Sequence, residues 1–198
     1  MQRRAADSEA GLARDSVWMR RLIARDATAL AEIANACGHI PFGIAFRLLA
    51  DRAEAEDIAQ ETLIRLWTYA ERWQIGRPSA PWLRQVATHL AIDHIRRARR
   101  IRQGDVPERT DPAASPEAAL ASADVRDRVA ACIAALPERQ RAAIILTYYE
   151  EQGNRQVADM LAMGLKAFES MLLRARQMLR SCLVGQGLLA ADMLDDRP

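Results

Sequence analysis

The sequence predicts an all-α protein of two small helical domains, joined by a flexible linker, with a helix-turn-helix in the second domain. Three observations support this fold class. Alternating runs of β-branched residues do not occur, and alanine, leucine and arginine dominate the 198 residues. Apolar residues recur at spacings of three and four, the period of an amphipathic helix. Residues 103–116 hold three prolines and a glycine and lack this period, so they indicate a linker.

The first domain is expected to span residues 15–101. Asp15 has the position of an N-cap before a helix that ends near Arg25. Asp26 is suited to cap the next helix, because an aspartate side chain accepts hydrogen bonds from the free amides of a first turn. Proline lacks a backbone donor, so residues 39–41 should interrupt or bend the chain after that helix.

The helix expected over residues 52–73 carries two stripes. One stripe is apolar and consists of Ile58, Thr62, Leu63, Leu66 and Trp67. The other is acidic and consists of Asp51, Glu54, Asp57 and Glu61. Like charges at this spacing repel by roughly 0.2–0.5 kcal/mol per pair, so the acidic stripe needs a reason. It is either a solvated face or a docking face for a basic partner, and periodicity alone leaves both open.

The segment after the acidic helix is basic. Residues 71–102 hold eight arginines against two acids, and they include the loop QIGRPSA at residues 74–80, before a helix that reaches about Arg100. Dense arginine suits phosphate contacts, and neighbouring aromatic residues suit unstacked bases. Trp67 and Trp82 lie on apolar stripes, however, and are expected in the core.

The second domain is expected over residues 117–183, after a linker at 102–116 and before an acidic tail at 184–198. Its helix-turn-helix combines a short helix near 154–162 with a longer one near 165–183. The core side of the longer helix is predicted to hold Leu165, Phe168, Leu172 and Leu173. The exposed side offers residue types that contact bases and phosphates in a major groove, namely Lys166, Glu169, Ser170, Arg174 and Arg176. An ordinary helical hairpin with a solvated arginine face is the alternative.

Composition argues against several functional classes. No apolar run approaches about 18 residues, so no membrane insertion is expected, and no secretory signal is recognised. There is no Gly-rich phosphate loop, metal-binding His-Glu helix or nucleophile elbow, so neither enzyme activity nor a cofactor is expected. The cysteines, Cys37, Cys132 and Cys182, show neither a disulfide framework nor a zinc pattern. A reduced, cytoplasmic protein is therefore expected.

Three segments, in a fixed order, resemble the extracytoplasmic-function (ECF) sigma factors of bacterial RNA polymerase, a branch of the sigma-70 superfamily. They are LLADRAEAEDIAQETLIRLW at 48–67, RPSAPWLRQVATHLAIDHIRR at 77–97 and LPERQRAAIILTYYEE at 136–151. The helix-turn-helix follows the third segment. Several motifs with the right gaps are more specific than a helix-turn-helix alone.

The resemblance implies a transcription initiation factor that binds core RNA polymerase and directs it to promoter DNA. The acidic helix would dock on the clamp helices of the largest polymerase subunit through Glu54, Asp57, Gln60 and Glu61. The basic loop would take a flipped base of the minus-10 element, and the loop and its helix would contact that element through Gln74, Arg77, Ser79, Arg84, His89, Arg96 and Arg97. The five exposed residues of the helix-turn-helix would read the minus-35 element as duplex. An anti-sigma factor is the expected regulator.

Two departures from the family pattern lie in the turn of the helix-turn-helix. Ala162 replaces a common glycine and Gly164 replaces a common cap residue such as serine, so the promoter sequence stays open. Two other functions are weighed beside the sigma factor. A sigma-like decoy would titrate an anti-sigma factor without directing transcription, but it has no need of the basic loop. A one-component repressor would bind an operator as a dimer without polymerase, yet no sensor pocket is evident.

Overall fold

A computed structural model describes the backbone of residues 2–104 and 120–189, with side chains over 11–101 and 125–189. Within these residues the chain forms helices and no strand, which confirms the prediction of an all-α fold. The chain divides into two compact units, and the boundary falls between Ala91 and Ile92.

Two predicted segments lie largely outside the described residues. Of the linker predicted at 102–116, only residues 102–104 are described, and they belong to a helix. Of the tail predicted at 184–198, only residues 184–189 are described.

Within each described stretch, 2–104 and 120–189, the helices follow one another with short connections. The first unit contains α1 (Gln2–Ile23), α2 (Ala27–Cys37), α3 (His39–Leu49), α4 (Arg52–Tyr69), a 3₁₀ turn (Ala70–Arg72) and the first part of α5 (Ser79–Gly104). The second unit contains the rest of α5, α6 (Leu120–Ala134), α7 (Glu138–Ile144), a π-helical turn (Ile145–Tyr149), α8 (Asn154–Met160) and α9 (Leu165–Gly185).

Several helix boundaries in the first unit follow from local sequence. Asp26 caps α2 as predicted, because its Oδ1 accepts the Thr28 amide at 2.9 Å. The chain bends by 54° between α2 and α3, but the break lies at Gly38, directly before the predicted residues 39–41, which form the first turn of α3. Asp51 caps α4 by accepting the Glu54 amide at 3.0 Å. Asp51, which the sequence places in the acidic stripe, therefore serves the helix end.

Asp15 lies inside α1 and does not cap it, so the predicted start of the first helix is wrong. The Asp15 side chain is only 6% exposed, and it shares the buried face of α1 with Trp18, Met19 and Leu22. Its Oδ2 accepts the backbone N–H of Ser79 at 2.7 Å and the Ser79 hydroxyl at 2.9 Å. Asp15 thus caps α5, at a distance of 64 residues that no local sequence pattern reveals.

The core of the first unit is built from α1, α2, α4 and α5. Its fully buried side chains include Met19, Leu22, Ile33, Leu66 and Leu83. Trp67 and Trp82 are partly buried and pack against this core, as the apolar stripes predict. One side of α4 is therefore fixed against the core, and the opposite side is left to solvent.

The second unit packs around the inner face of α9. Its buried residues are Phe168, Met171, Leu172 and Ala175. Leu173, predicted in the core, is 51% exposed, so that prediction is wrong. Each helical residue advances about 100°, which carries Leu173 beyond the edge of the stripe that Phe168 and Leu172 define.

A disulfide bond joins Cys132 on α6 to Cys182 on α9. The expectation of reduced cysteines is therefore wrong for this pair, while Cys37 is a free, buried thiol. Burial raises the pKa of the Cys37 thiol, and the charge of Asp15 raises it further. The 50-residue spacing of the bonded pair carried no signal, because the bond depends on how α6 packs against α9.

Within the described part of the chain, each helix taken singly is too short or too polar to cross a bilayer. The bent pair formed by α2 and α3 alone has the length and composition of a span.

Candidate protein- and nucleic-acid-binding surfaces

The outer face of α4, the side opposite the core, is acidic and has an exposed isoleucine after its last acidic residue. Asp57 and Gln60 are exposed, and Glu54 and Glu61 are half-buried. Ile64 is 55% exposed and lies seven residues after Asp57, on the same side of the helix. The sequence prediction missed Ile64, although this spacing of seven was visible in it.

Two arginines of α4 partly neutralise its acids. Arg52 Nε pairs with Glu56 Oε1 and Arg65 Nε pairs with Glu61 Oε1, each at 2.8 Å and one turn apart. Exposed pairs of this kind contribute about 0.3–0.5 kcal/mol. Among the described residues, no cation pairs with Asp57. The carboxylate of Asp57 therefore faces solvent with its charge available to a basic partner.

Residues 74–77 form a tight turn before α5. The Arg77 amide donates to the Gln74 carbonyl at 3.2 Å, and Gly76, the third residue, has φ of +92°. This pattern fits a type II turn, which favours glycine at that position because other residues avoid positive φ. Gln74, Ile75 and Arg77 are all exposed, so the turn presents two polar side chains and one apolar side chain to solvent.

Aromatic rings form the base of this turn. Tyr69 stacks on Trp82 with ring centroids 5.6 Å apart, and Trp73 meets Trp82 edge-on at 5.9 Å. Trp73 immediately precedes the turn and is buried, whereas Tyr69 is exposed. The loop at residues 74–79 therefore begins directly after a cluster of packed aromatic rings.

Two residues predicted to contact the minus-10 element lie apart from the exposed ones. The side chain of Ser79 is 1% exposed and donates its hydroxyl to Asp15. Arg84 is half-buried and precedes His89 by five residues, which places it about 140° around α5.

The remaining predicted residues of α5 share its exposed side. His89, Arg96 and Arg97 are exposed, and so is Arg100, one turn after Arg96. Helical spacing places His89, Arg96 and Arg100 within about 40° of one another. Arg100 did not belong to the predicted contact set, although it stands in the same arginine run.

The turn between α8 and α9 is a Schellman motif. The Met163 amide donates to the Ala158 carbonyl at 3.0 Å, and the Ala162 amide donates to the Asp159 carbonyl at 3.1 Å. Ala162 has φ of +50°, a left-handed conformation that favours glycine. Gly164 is the N-cap of α9, with extended backbone. The turn therefore forms despite both departures from the family pattern.

The five residues predicted to contact the minus-35 element are all exposed on α9, namely Lys166, Glu169, Ser170, Arg174 and Arg176. Leu173 follows Lys166 by seven residues and so lies on the same side of the helix. Because Leu173 was predicted in the core, the predicted surface lacked this apolar residue. An exposed apolar side chain there is suited to contact a thymine methyl group.

Within the described residues, no three His, Cys, Asp or Glu side chains come together as a ligand group for a metal ion.

Comparison with known proteins identifies the family. The family Sigma-70 region 2 matches residues 41–101, and Sigma-70, region 4 matches residues 126–179. The chain is 33% identical over 172 residues to the ECF RNA polymerase sigma factor SigK of Mycobacterium tuberculosis, which covers 83% of this chain and 91% of SigK. The chain belongs to the ECF sigma factors. This ECF sigma factor is also 33% identical, over 146 residues, to SigE of Mycolicibacterium smegmatis, covering 72% of this chain and 56% of SigE.

Two solved structures share the fold of this ECF sigma factor. CnrH, in complex with the cytosolic domain of CnrY, aligns with a TM-score of 0.62 and 20% identity over 87% of this chain and 98% of CnrH. RpoE of Bartonella quintana, in complex with the anti-sigma factor NepR, aligns with a TM-score of 0.58 and 21% identity over 78% and 96%.

Each candidate surface falls within one of the two matched sigma factor regions. Sigma factors are non-enzymatic transcription factors that act with RNA polymerase at promoter DNA. The outer face of α4, the loop at 74–79 and the exposed side of α5 all fall in region 2, while the helix-turn-helix falls in region 4.

Proposed function

We propose that this ECF sigma factor binds core RNA polymerase through the outer face of α4 and directs it to promoters by reading two DNA elements. The loop at residues 74–79 and the exposed side of α5 would read the minus-10 element, and α9 would read the minus-35 element. One observation carries the proposal: α4 presents an acidic face that continues, towards the C-terminal end of the helix, into an exposed isoleucine, while the other side of the helix is packed into the core.

The outer face of α4 suits a basic helical partner, as the clamp helices of the polymerase would be. Protein interfaces combine apolar contacts that become buried with polar contacts around them, and Ile64 supplies an exposed apolar side chain one turn or two after Glu61 and Asp57. Burying an isoleucine side chain contributes about 1.5–3 kcal/mol. The carboxylates would add orientation and speed of association more than affinity.

Reading of the minus-10 element divides between two kinds of contact. Arginine–phosphate contacts bind DNA without reading its sequence, so Arg96, Arg97 and Arg100 would hold the strand. A flipped base is read by hydrogen bonds in a pocket, so the base would go to the turn with Gln74 and Arg77. Flipping costs a few kcal/mol and costs least where the duplex is already opening. Ser79 is buried and Arg84 is half-buried, so these two would support the exposed contact residues from inside the protein.

Reading of the minus-35 element would use the exposed side of α9 in the major groove. Lys166 and Arg174 offer donors to guanine or phosphate, and Glu169 offers an acceptor to a cytosine amine. Leu173 adds an apolar contact between them. Phosphate contacts near the ends of α9 would set its position, and base contacts would set its specificity.

Control by an anti-sigma factor is the regulatory part of the proposal. RpoE of Bartonella quintana is solved with the anti-sigma factor NepR, and CnrH with the cytosolic domain of CnrY. A protein of the same family and fold is expected to have an inhibitory partner. An inhibitor that covers the outer face of α4 would exclude the polymerase directly.

Charge reversal on α4 tests the polymerase contact. Asp57→Lys should prevent binding to core RNA polymerase, measured by native gel shift with purified core enzyme. Glu56→Lys is the matched control, because Glu56 makes the same charge change about 100° around the same helix. Equal loss in both variants would indicate attraction by net charge alone, and unchanged binding by Asp57→Lys would refute the docking assignment.

Charge reversal on α5 tests the promoter contact. The double variant Arg96→Glu, Arg97→Glu should bind core polymerase normally but lose run-off transcription from the promoter upstream of its own gene. Unchanged transcription would overturn the minus-10 assignment. A decoy would give no promoter-directed transcript even as wild type, and a one-component repressor would bind the DNA without polymerase.

A further inference from the structure

We infer that Asp15 is a positioning residue for promoter reading, which holds the loop at residues 74–79 in one shape by anchoring its last residue, Ser79. Asp15 lies on α1, ahead of the part of the chain that matches region 2. The inference rests on the proposed function, because it assumes that this loop receives a base of the minus-10 element.

The anchor consists of two hydrogen bonds to one oxygen atom. Asp15 Oδ2 accepts the Ser79 backbone N–H at 2.7 Å and the Ser79 hydroxyl at 2.9 Å. Both residues are buried. The bonds therefore fix both the backbone and the side chain of Ser79, out of reach of competing water.

A buried carboxylate in an apolar face needs such partners. Asp15 takes a position in the helical spacing of Trp18, Met19 and Leu22 that an apolar residue would fill. Burying a charge is costly unless it is paired or hydrogen-bonded. Ser79 is the first residue of α5. The amides of a first helical turn have no acceptor within the helix, and the helix dipole places positive charge at that end. An apolar residue at position 15 would leave the Ser79 amide without its acceptor and the positive end of α5 without a neighbouring carboxylate.

The loop is consequently held at both ends. At its start, Trp73 is buried against Trp82, and its amide donates to the Ala70 carbonyl at 2.9 Å. At its end, Ser79 is held by Asp15. Between these anchors lie the turn at residues 74–77 and Pro78, whose ring fixes φ. Few backbone torsions remain free in the exposed stretch.

A preorganised loop matters because a base is read by geometry. A site that is already ordered loses less conformational freedom on binding, and its donors stand where the correct base needs them. A loose loop would still bind DNA through the arginines of α5, but it would discriminate poorly between bases. Asp15 therefore affects base choice more than the strength of DNA binding.

The test combines two readouts on Asp15→Ala, Asp15→Asn and Ser79→Ala. Hydrogen exchange of the free protein should show the Ser79 amide, and with it the Arg77 amide of the turn, exchanging roughly tenfold faster or more in Asp15→Ala, since the buried acceptor of the Ser79 amide is lost. Holoenzyme made with each variant then transcribes a pool of barcoded promoters with randomised minus-10 sequences. Discrimination between minus-10 sequences should fall about tenfold in Asp15→Ala and less in Asp15→Asn. It should fall least in Ser79→Ala, which keeps the hydrogen bond from the backbone N–H to Asp15.

The discrimination ratio compares promoters within one sample, so it does not depend on how much of the variant is folded. Asp26→Ala is the matched control, because it removes another aspartate cap from the same unit. It should lower stability and leave base preference unchanged. A purely structural role for Asp15 would give the same pattern as Asp26→Ala, and that result would overturn the inference.

The outcome separates this inference from the proposed function. If wild-type holoenzyme shows no minus-10 preference in the promoter pool, the proposed function fails. If wild type discriminates and Asp15→Ala discriminates equally well, the positioning role alone is refuted. Unchanged hydrogen exchange at the Arg77 and Ser79 amides in Asp15→Ala would refute it without any polymerase.

Discussion

Cys132 on α6 and Cys182 on α9 are covalently joined, with their Cα atoms 5.7 Å apart. The bond closes a segment of 50 residues that contains α7, α8 and the helix-turn-helix. A cross-link of this span restricts the unfolded chain and stabilises the folded state by about 4 kcal/mol. The second unit is therefore expected to depend on its disulfide, whereas the first unit holds only a free cysteine.

Reduction should destabilise the second unit selectively. All four tryptophans precede Ala91, so tryptophan fluorescence reports on the first unit, and far-UV circular dichroism reports on both. With added dithiothreitol, the transition seen only by circular dichroism should move to lower temperature, and Cys132→Ser should behave in the same way without reductant. Cys37→Ala serves as the control, because its response to reductant should equal that of wild type. Three thiols labelled in unreduced, denatured protein would contradict the disulfide.

Ala162→Gly should stabilise the second unit. Ala162 has φ of +50°, and a left-handed conformation costs a residue with a Cβ atom roughly 1 kcal/mol, whereas glycine adopts it freely. The free energy of unfolding, measured by urea titration with circular dichroism, should rise by about 1 kcal/mol.

The matched control for this turn is Ala167→Gly. Ala167 is exposed in the first turns of α9, where glycine costs about 1 kcal/mol relative to alanine. The two substitutions are chemically identical and should act in opposite directions. Destabilisation by both would indicate that Ala162 is not left-handed in solution.

Acid should weaken the first unit through Asp26. The Thr28 hydroxyl, followed by the Arg21 guanidinium, lowers the pKa of Asp26 from 3.8 to about 2. Because the folded pKa is the lower one, the stabilisation is fully present above pH 4 and is lost as the pH falls through about 2. The stability difference between wild type and Asp26→Asn, followed by tryptophan fluorescence, should thus be constant at neutral pH and shrink at acid pH. Thr28→Ala removes the largest cause and should shift that loss to higher pH.

The sequence predicted those parts of the fold that depend on neighbouring residues. The Asp26 cap and the bend near residues 39–41 both depend on residues only a few positions away. The cap is confirmed, and the bend is present but lies at Gly38. Asp15 and the pair of Cys132 and Cys182 were misjudged because their partners lie 64 and 50 residues away. Local spacing cannot reveal which helices will pack together.

The candidate surfaces also divide into residues that local spacing predicts and residues that only tertiary packing reveals. Periodicity identified the acidic residues of α4 and the polar residues of α9, because both sets stand at helical spacing. It missed Ile64 and misplaced Leu173, because an apolar residue at helical spacing is normally assigned to the core. Only packing shows that the core has been completed by other residues and that these two are left outside.

Adjacent leucines on α9 offer a direct comparison of structure and recognition. Leu172 is buried and Leu173 is 51% exposed. Leu172→Ala should cost about 2–5 kcal/mol of stability, because it opens a cavity in the core. Leu173→Ala should change the free energy of unfolding by no more than about 0.5 kcal/mol, as exposed substitutions usually do.

Leu173→Ala should instead weaken recognition of the minus-35 element. Loss of an apolar contact to a thymine methyl group would cost about 1 kcal/mol, or roughly fivefold in binding. The measurement is run-off transcription from two promoters that share a minus-10 element, one with the native minus-35 sequence and one with it scrambled. Leu173→Ala should lower the ratio of the two transcripts, since only the first promoter uses the α9 contact. An unchanged ratio, with stability also unchanged, would remove Leu173 from the DNA-reading surface and leave that role to the polar residues around it.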